Sequence, residues 1–316
     1  MKIIITGALG HIGSSLIRYL PKSFPKAHFI LIDSLITQRF SSLFNLPSNA
    51  KFSFYEEDVR SFDFDTLLDK GDIIINLSAI TDAAGSFDNA EALEQNNYNC
   101  TEVIANACVK NKSKLITISS TSVYGSTKNM VDEFADGEDL NPQSPYATTK
   151  LLEEELIKKL CKENSLDAVI LRFGTIYGCS IGMRFHTAVN KFCWQAVLGK
   201  PLTVWETAYD QKRPYLNLND AVNSLTFFMQ KNIFDGEIYN VLSGNHSVRE
   251  VVENIKKNIP DLEVNFVKNE IMNQLSYEVS VSKLLNKGFI FNGNLDEGIK
   301  DTISLIKASN SSQKNE

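Results

Sequence analysis

Histidine and cysteine are scarce: four and five among 316 residues. The cysteines, Cys100, Cys108, Cys161, Cys179 and Cys193, fall in no C-x-x-C or Cys/His spacing, so no metal site is expected. An odd number of thiols in such a pattern fits a reducing compartment. Basic charge is not in excess either, with 32 Lys and Arg against 38 Asp and Glu for a net charge of -6. A general binder of nucleic acid or anionic membrane rests on a basic face, so both are excluded as partners, although single basic residues can still hold a phosphate. No apolar run approaches the roughly 18 residues that cross a bilayer, and no signal-peptide pattern precedes the first strand. A cytoplasmic protein is expected. Internal repeats and low-complexity segments are also lacking. What remains is an ordinary globular composition, long enough for one large α/β domain with a smaller lobe.

The most informative stretch is Ile3-Ile4-Ile5-Thr6-Gly7-Ala8-Leu9-Gly10-His11-Ile12-Gly13. Lys2 to Ile5 is apolar apart from the lysine and rich in β-branched side chains, which reads as a buried parallel strand. Glycines at 7, 10 and 13 spell G-x-x-G-x-x-G rather than the usual dinucleotide fingerprint G-x-G-x-x-G. The physics is shared: glycine permits a tight strand-to-helix turn, and amides around Gly10, His11 and Ile12 can face a pyrophosphate at the helix N-terminus. A ribose-binding acid should follow about 20 residues later, after a second strand. Asp33, closing His28-Phe29-Ile30-Leu31-Ile32, meets that expectation. A glycine turn alone needs no ligand, but strand, triplet, helix and spaced acid together point to a dinucleotide. Asp33 would repel a 2′-phosphate, no arginine follows it directly, and Arg39 comes too late to match the pattern. The expected cofactor is therefore NAD.

The first helix, from Ile12 to about Leu20, is expected to stop at Pro21. Residues 34–50 read as an irregular loop near the adenosine. Phe52 to Glu57 reads as a third strand tipped by Asp58-Val59-Arg60, where Asp58 either reaches an adenine amino group or is a solvated carboxylate. A fourth strand from Asp72 runs into Leu77, Ser78 and Ala79, small enough as a loop to press on the cofactor. A helix over 89–111 and a strand from Lys114 to Ser119 follow. This rhythm implies a Rossmann-type, doubly wound parallel sheet with ligands at the carboxyl ends of its strands. After Arg172 come a helix from about Thr187 to Leu198, a strand Leu202 to Trp205, a polar stretch 206–213, and then strand, helix and strand at 215–218, 220–230 and 238–241. The expected division is a dinucleotide-binding domain at 1–173, with strand and helix returning at about 214–243. A smaller, partly interleaved substrate lobe takes 174–213 and 244–308, and 309–316 is a disordered tail.

The strongest catalytic pattern is Ser144-Pro145-Tyr146-Ala147-Thr148-Thr149-Lys150. Ser144 can cap a helix and Pro145 fits its first turn, which puts Tyr146 and Lys150 on one helical face. A nearby ammonium stabilises the phenolate, letting Tyr146 remove a proton from a carbinol while hydride leaves. Strand five ends in Ser119-Ser120-Thr121-Ser122-Val123-Tyr124-Gly125, which offers a hydroxyl to share and orient the substrate oxygen.

Taken in order, T-G-x-x-G-x-x-G at 6–13, Asp33, Asp58, the loop at 77–79, S-S-x-x-V-Y-G at 119–125, P-Y-x-x-x-K at 145–150 and L-R-F-G at 171–174 resemble one family. It is the extended short-chain dehydrogenase/reductases acting on nucleotide sugars, the UDP-glucose 4-epimerase-like epimerases and dehydratases. The resemblance covers nearly the whole chain. It implies that Ser120 is the catalytic Ser/Thr, Tyr146 the base, and Lys150 a partner that also holds the nicotinamide ribose. It implies Val59 and residues 77–79 at the cofactor. It also implies a nucleotide-diphosphate sugar substrate and a homodimer built from helices at about 91–111 and 146–164. Where many relatives read R-D-F-x-x-V-x-D, this chain has Arg213-Pro214-Tyr215 leading to Asp220, which makes Arg213 the diphosphate ligand. Thr81 and Thr121 join the substrate residues by the same match. Arg184 and Lys191 either assist or are solvated charges, and Trp205 either stacks on the substrate or sits in the core. His11 stands where an aromatic or large apolar residue is common, near phosphate or simply packed. Cys179 and His186 lie in the substrate lobe and are candidates for an extra acid or base.

The resembling 4,6-dehydratases carry Thr-Asp-Glu where this chain has Ser120-Thr121-Ser122, so water elimination lacks its acid and base here. The first expectation is therefore an NAD-dependent C4 epimerase working through a transient 4-keto sugar. A net C4 dehydrogenase or 4-ketosugar reductase shares all these residues. A non-catalytic NAD-binding protein is opposed by intact Ser120, Tyr146 and Lys150.

Overall fold

The computed structural model describes residues 1–81, 90–125, 130–268 and 276–310. In chain order, β1 (Lys2–Thr6), α1 (His11–Ser23), β2 (His28–Asp33), β3 (Lys51–Glu56), β4 (Ile73–Asn76), α2 (Ala90–Asn111) and β5 (Lys114–Ser120) alternate strand with helix or loop. Next come β6 (Met130–Val131), α3 (Pro145–Asn164), β7 (Asp167–Phe173), β8 (Thr175–Tyr177), α4 (Ala188–Val197), β9 (Leu202–Trp205), β10 (Lys212–Asn217), α5 (Leu218–Lys231) and β11 (Asp235–Val241). The chain closes with β12 (Gly244–Ser247), α6 (Val248–Asn258), β13 (Val264–Val267), β14 (Glu278–Val279), α7 (Ser282–Asn286) and α8 (Leu295–Asn310).

Seven strands make one parallel sheet in the order β11-β7-β5-β4-β1-β2-β3. Both faces are buried, which is why its strands read as unbroken apolar runs. Ile3, Ile5, Phe29, Leu31, Ile73 and Ile75 face one side, with Leu16 and Ile17 of α1 and Leu225 and Phe228 of α5. Ile4, Ile30, Ile32 and Ile74 face the other, against Ile104 of α2 and Ile157 of α3. The order reverses at β1 and β4, and a crevice opens at such a switch point, beyond the carboxyl ends of the strands.

A second core joins α4, α6 and α8 to β9, through Val189, Cys193, Leu202, Val251, Ile255 and Ile299 among others. A three-stranded sheet, β12-β10-β8, contributes to both cores, Ile176 and Leu216 to the large one and Tyr177 and Tyr215 to the second. The strand expected to return to the large sheet near residue 215 belongs instead to this small one, because β10 pairs with β8 and β12. The returning elements are α5 and β11. Leu284 and Phe289, assigned by sequence to the smaller lobe, pack into the large core.

Pro21 does not stop α1, which runs to Ser23 with the Phe24 amide donating to Leu20 O at 2.8 Å. Leu20 and Pro21 are both buried there, and packing outweighs one forfeited helical bond. The expected tail begins late, since residues 309 and 310 are helical; 311–316 lie outside the described residues, as does residue 89 at the expected start of α2. Among the described residues no helix is long and apolar enough to cross a membrane.

Candidate active site

At the switch point Gly7 holds φ +62°, and a Cβ there would stand 2.6 Å from Leu77 O. A Cβ on Gly13 would stand 2.4 Å from Ala8 O. Neither position has room for a side chain, so the turn can only be glycine. Gly10 N–H donates to Gly7 O at 3.2 Å, and α1 then starts with no side chain capping its first amides. Such a helix start, with β1, β2 and the loop after β4 gathered round it, fits the pyrophosphate of a dinucleotide.

Asp33 sits at the rim of that turn. Its Oδ2 accepts Leu9 N–H at 3.0 Å and its Oδ1 accepts Leu35 N–H at 2.9 Å, so the carboxylate is fixed while keeping acceptor capacity for ribose hydroxyls. Arg39, dismissed by its spacing, folds back to the site. Its Nη1 lies 3.9 Å from where a Gly10 Cβ would be, and the charge of Asp33 acts on its guanidinium. Asp58 is gripped by Arg60, whose Nε lies 3.0 and 3.1 Å from its two oxygens and whose Nη2 lies 2.5 Å from Oδ2. The guanidinium holds this carboxyl below its ordinary range. Val59 is buried in the core beneath α2.

The loop at 77–79 is pinned from behind: Leu77 N–H donates to Thr6 O at 3.1 Å and Ser78 N–H to Asn76 Oδ1 at 3.2 Å. Asn97, fully buried on α2, clamps the next residue in both directions, accepting Ile80 N–H at 2.8 Å and donating to Ile80 O at 2.9 Å. Sequence reasoning missed Asn97, which stands among the polar residues Gln95, Asn96 and Asn99 of α2 with nothing local to mark it.

His11 Nε2 lies 2.8 Å from Gly178 O, which puts its proton there and leaves Nδ1 a buried acceptor without a partner. Burial pushes this imidazole down to about 4, and the charges of Arg184, Arg39 and His186 act the same way. It is neutral at pH 7 and brings no charge to a phosphate. Its Ile12 neighbour is half-buried against the large core.

Ser144 caps α3 by accepting Ala147 N–H at 3.2 Å. Lys150 Nζ then lies 5.9 Å from the centre of the Tyr146 ring and 3.0 Å from Glu153 Oε2. Ser120 Oγ accepts from Ser122 N–H at 3.1 Å and from Ser122 Oγ at 2.8 Å. α3 packs against the turn at 121–123, which brings the Ser120 and Tyr146 segments together.

Beside them opens a cavity of about 520 Å³, lined among others by Ser120, Thr121, Ser122, Thr175, His186, Lys191, Trp205, Arg213 and Tyr277. Arg213 Nη2 donates to Gln211 Oε1 at 2.8 Å and Nη1 to Lys212 O at 2.9 Å, with the guanidinium 5.7 Å above the Tyr277 ring. Tyr277 in turn donates to Thr121 O at 3.0 Å; nothing in its local sequence marked it. Thr121 lines the wall with its hydroxyl donating to Phe173 O at 3.3 Å, and Ser122 lines it with its hydroxyl donating to Ser120 Oγ. Arg184 is not on the lining; it donates to the Thr81 hydroxyl. Trp205 is 43% exposed, which settles it as a rim residue rather than a core one. His186 faces the cavity, whereas the Cys179 thiol donates to Thr302 Oγ1 at 3.4 Å and lies off the lining. Burial raises that thiol, so the two candidates for an extra acid or base separate, and only His186 has access.

A parallel sheet with its switch point at a glycine turn, an acid closing the second strand, and a Tyr/Lys pair one helical turn apart define a Rossmann-type NAD-dependent enzyme. Residues 3–241 match the model of the NAD dependent epimerase/dehydratase family, and the chain belongs to that family. The chain is 32% identical over 250 residues, 76% of each chain, to an uncharacterised UDP-glucose epimerase of Bacillus subtilis (strain 168). It is 28% identical to a trifunctional UDP-glucose 4,6-dehydratase/UDP-4-keto-6-deoxy-D-glucose 3,5-epimerase/UDP-4-keto-L-rhamnose-reductase of Arabidopsis thaliana, matching 95% of this chain but spanning only 46% of that longer protein. Its structure is similar to the crystal structure of UDP-glucuronic acid 4-epimerase from Bacillus cereus in complex with UDP-glucuronic acid and NAD. The TM-score is 0.86 at 28% identity, over 98% of this chain and 100% of the other. The cofactor is NAD.

Proposed function

We propose that this enzyme epimerises a nucleotide-diphosphate sugar at C4, through a transient 4-keto sugar, with NAD held throughout. The observation that carries this reading is the chemistry of the cavity. Ser120 stands at one part of its wall and Arg213, Lys191 and Trp205 at another, and among the described residues no Asp or Glu lines it. Cations and an indole suit a diphosphate and a base. Elimination of water needs an acid and a base beside the sugar, and the places where related dehydratases carry them hold Thr121 and Ser122.

Tyr146, as phenolate, takes the proton of the sugar hydroxyl, and Ser120 donates to the same oxygen to fix its angle. Lys150, its Nζ 5.9 Å from the centre of the Tyr146 ring, stands beside the base and reaches the nicotinamide ribose. NAD, when bound, supplies the acceptor and then the donor of hydride. Gly7, Gly10 and Gly13 admit its pyrophosphate to the amides at Gly10, His11 and Ile12. Asp33 takes the adenosine ribose, Asp58 and Val59 the adenine side, and Leu77, Ser78 and Ala79 the nicotinamide side. Arg184, tied to Thr81, closes the sugar end, while Thr121 shapes the wall. The ketone turns over within the cavity, and Tyr146 returns its proton to the other epimer.

The enzyme also acts as a homodimer through α2 and α3, in the cytoplasm. Those helices pack side by side, and half-exposed Tyr98, Leu152 and Leu156 leave apolar surface on them; the five unpaired thiols suit a reducing compartment. Light scattering on the purified protein reads the dimer directly.

The deciding test is proton NMR of the purified enzyme with UDP-, GDP-, CDP- and dTDP-sugars, UDP-glucose and UDP-glucuronic acid among them, with no nicotinamide added. A C4 epimer that accumulates to equilibrium supports the reading. Turnover only when NAD is supplied in proportion, with a ketone as product, replaces it with a net dehydrogenase.

A further inference from the structure

Glu153 is a buried carboxylate for which the reaction above has no use, and it touches the residue the reaction most depends on. Three positions after Lys150 on α3, it meets the ammonium at 3.0 Å through Oε2, with Lys150 5% and Glu153 3% exposed. The same Oε2 accepts Thr101 Oγ1 from α2 at 2.8 Å. Thr101 Oγ1 accepts Asn76 Nδ2 at 3.2 Å, and Asn76 Oδ1 accepts both Thr6 Oγ1 at 2.9 Å and Ser78 N–H at 3.2 Å. A continuous chain of hydrogen bonds thus joins Lys150 to the end of β1, where the glycine turn begins, and to the loop after β4.

The other oxygen, Oε1, is buried without a partner. One residue on, Glu154 shows what an ion pair built for stability looks like: both its oxygens are paired with Arg172. Glu153 is left half satisfied, and such a group calls for an explanation other than stability.

We propose that Glu153 is a positioning residue for the catalytic pair: it holds the Lys150 ammonium off Tyr146 and offsets part of its charge, thereby setting the pH at which Tyr146 can accept the substrate proton. This rests on Tyr146 being the base. The groups that face Glu153 agree with an electrostatic role. On its own helix are Lys150, which favours the charged carboxylate against the raising effect of burial, and Glu154, offset by Arg172 on β7; Tyr146 acts on Lys150. On α2 is Cys100, whose thiol burial pushes up to about 11, so it stays neutral. Glu153 is therefore the nearest negative charge that Lys150 meets.

The test is the Glu153→Gln variant, which keeps shape and removes charge. In the NAD-bound protein, phenolate absorbance is titrated and the Tyr146 contribution taken as the difference from the same variant carrying Tyr146→Phe. The expected shift of Tyr146 is about one pH unit to acid, as an uncompensated neighbouring cation predicts. The acid limb of kcat for the responsive sugar moves with it. Thr101→Val gives the second readout: it removes a donor that favours the charged carboxylate, so Glu153 offsets less of the ammonium and Tyr146 titrates at lower pH. If Glu153→Gln does not fold, the Thr101→Val titration decides. An unmoved Tyr146 in a folded variant, with only the melting temperature lowered, overturns the proposal and makes Glu153 structural. If Tyr146→Phe turns over sugar like the parent enzyme, it is the assignment of Tyr146 itself that falls.

Discussion

Arg172 and Glu154 form a fork-to-fork ion pair beneath the active site, Nε to Oε1 at 2.8 Å and Nη2 to Oε2 at 2.6 Å. Ser119 Oγ adds a bond to Oε1 at 2.5 Å, and the third guanidinium nitrogen reaches Tyr124 OH at 2.8 Å, which donates on to Asn240 Oδ1. α3 thereby turns two adjacent glutamates to opposite uses, Glu154 toward β5 and β7 and Glu153 toward α2. The pair sets the height of α3 against the sheet, and with it the place of Tyr146.

Breaking this pair from one side leaves a buried charge. Arg172→Met is expected to lose about 3–5 kcal/mol of stability, and Arg172→Met with Glu154→Leu to recover much of it, because two apolar residues need no partner. Urea unfolding of the three proteins measures both changes. Equal loss in the single and double variants would mean that the network, not the charge, is what matters.

The glycine turn admits a sharper prediction. Gly7→Ala combines a left-handed backbone with a Cβ 2.6 Å from Leu77 O, so either the turn or the loop at 77–79 must move. NAD affinity measured by calorimetry is expected to fall at least tenfold, equivalent to about 1.4 kcal/mol. Unchanged affinity would take the pyrophosphate away from this turn.

Much of the candidate site is written in short stretches of chain, which is why the sequence can propose it. Gly7, Asp33, Ser120, Tyr146 and Lys150 each sit where a strand or helix end dictates residue type locally. What could not be read is what the fold brings from afar. Arg39 loops back to the glycine turn, Asn97 clamps Ile80 across 17 positions, and Tyr277 reaches Thr121 across 156. Spacing likewise could not tell that Thr121 would give its hydroxyl to Phe173 O, or that β10 would leave the large sheet for the small one.

Arg213 and Cys179 make a contrast, one on the cavity wall and the other off it. Arg213 is oriented by Gln211 and Lys212 on the cavity wall, and its replacement by Met is expected to weaken binding of a UDP-sugar by roughly 1.5–3 kcal/mol, the worth of a charged hydrogen bond. Cys179→Ala, off the lining, is expected to leave kcat and KM unchanged. A large loss of kcat in the cysteine variant would return the thiol to the chemistry.

His11 makes stability depend on pH with a definite sign. Burial takes its folded value to about 4 from an ordinary 6.5. Below 6.5 the unfolded chain takes up a proton that the folded one refuses, so stability present above that pH is lost progressively as pH falls toward 4. Near pH 5 the loss amounts to about 2 kcal/mol, at 1.36 kcal/mol for each pH unit below the unfolded value. His11→Phe removes the titrating group and the unpartnered Nδ1 while refilling the space, so its stability should fall less between pH 7 and pH 5 than the parent's, by about that amount. Urea midpoints of both proteins at the two pH values make the comparison. Parallel losses would place the acid sensitivity elsewhere and leave His11 as packing alone.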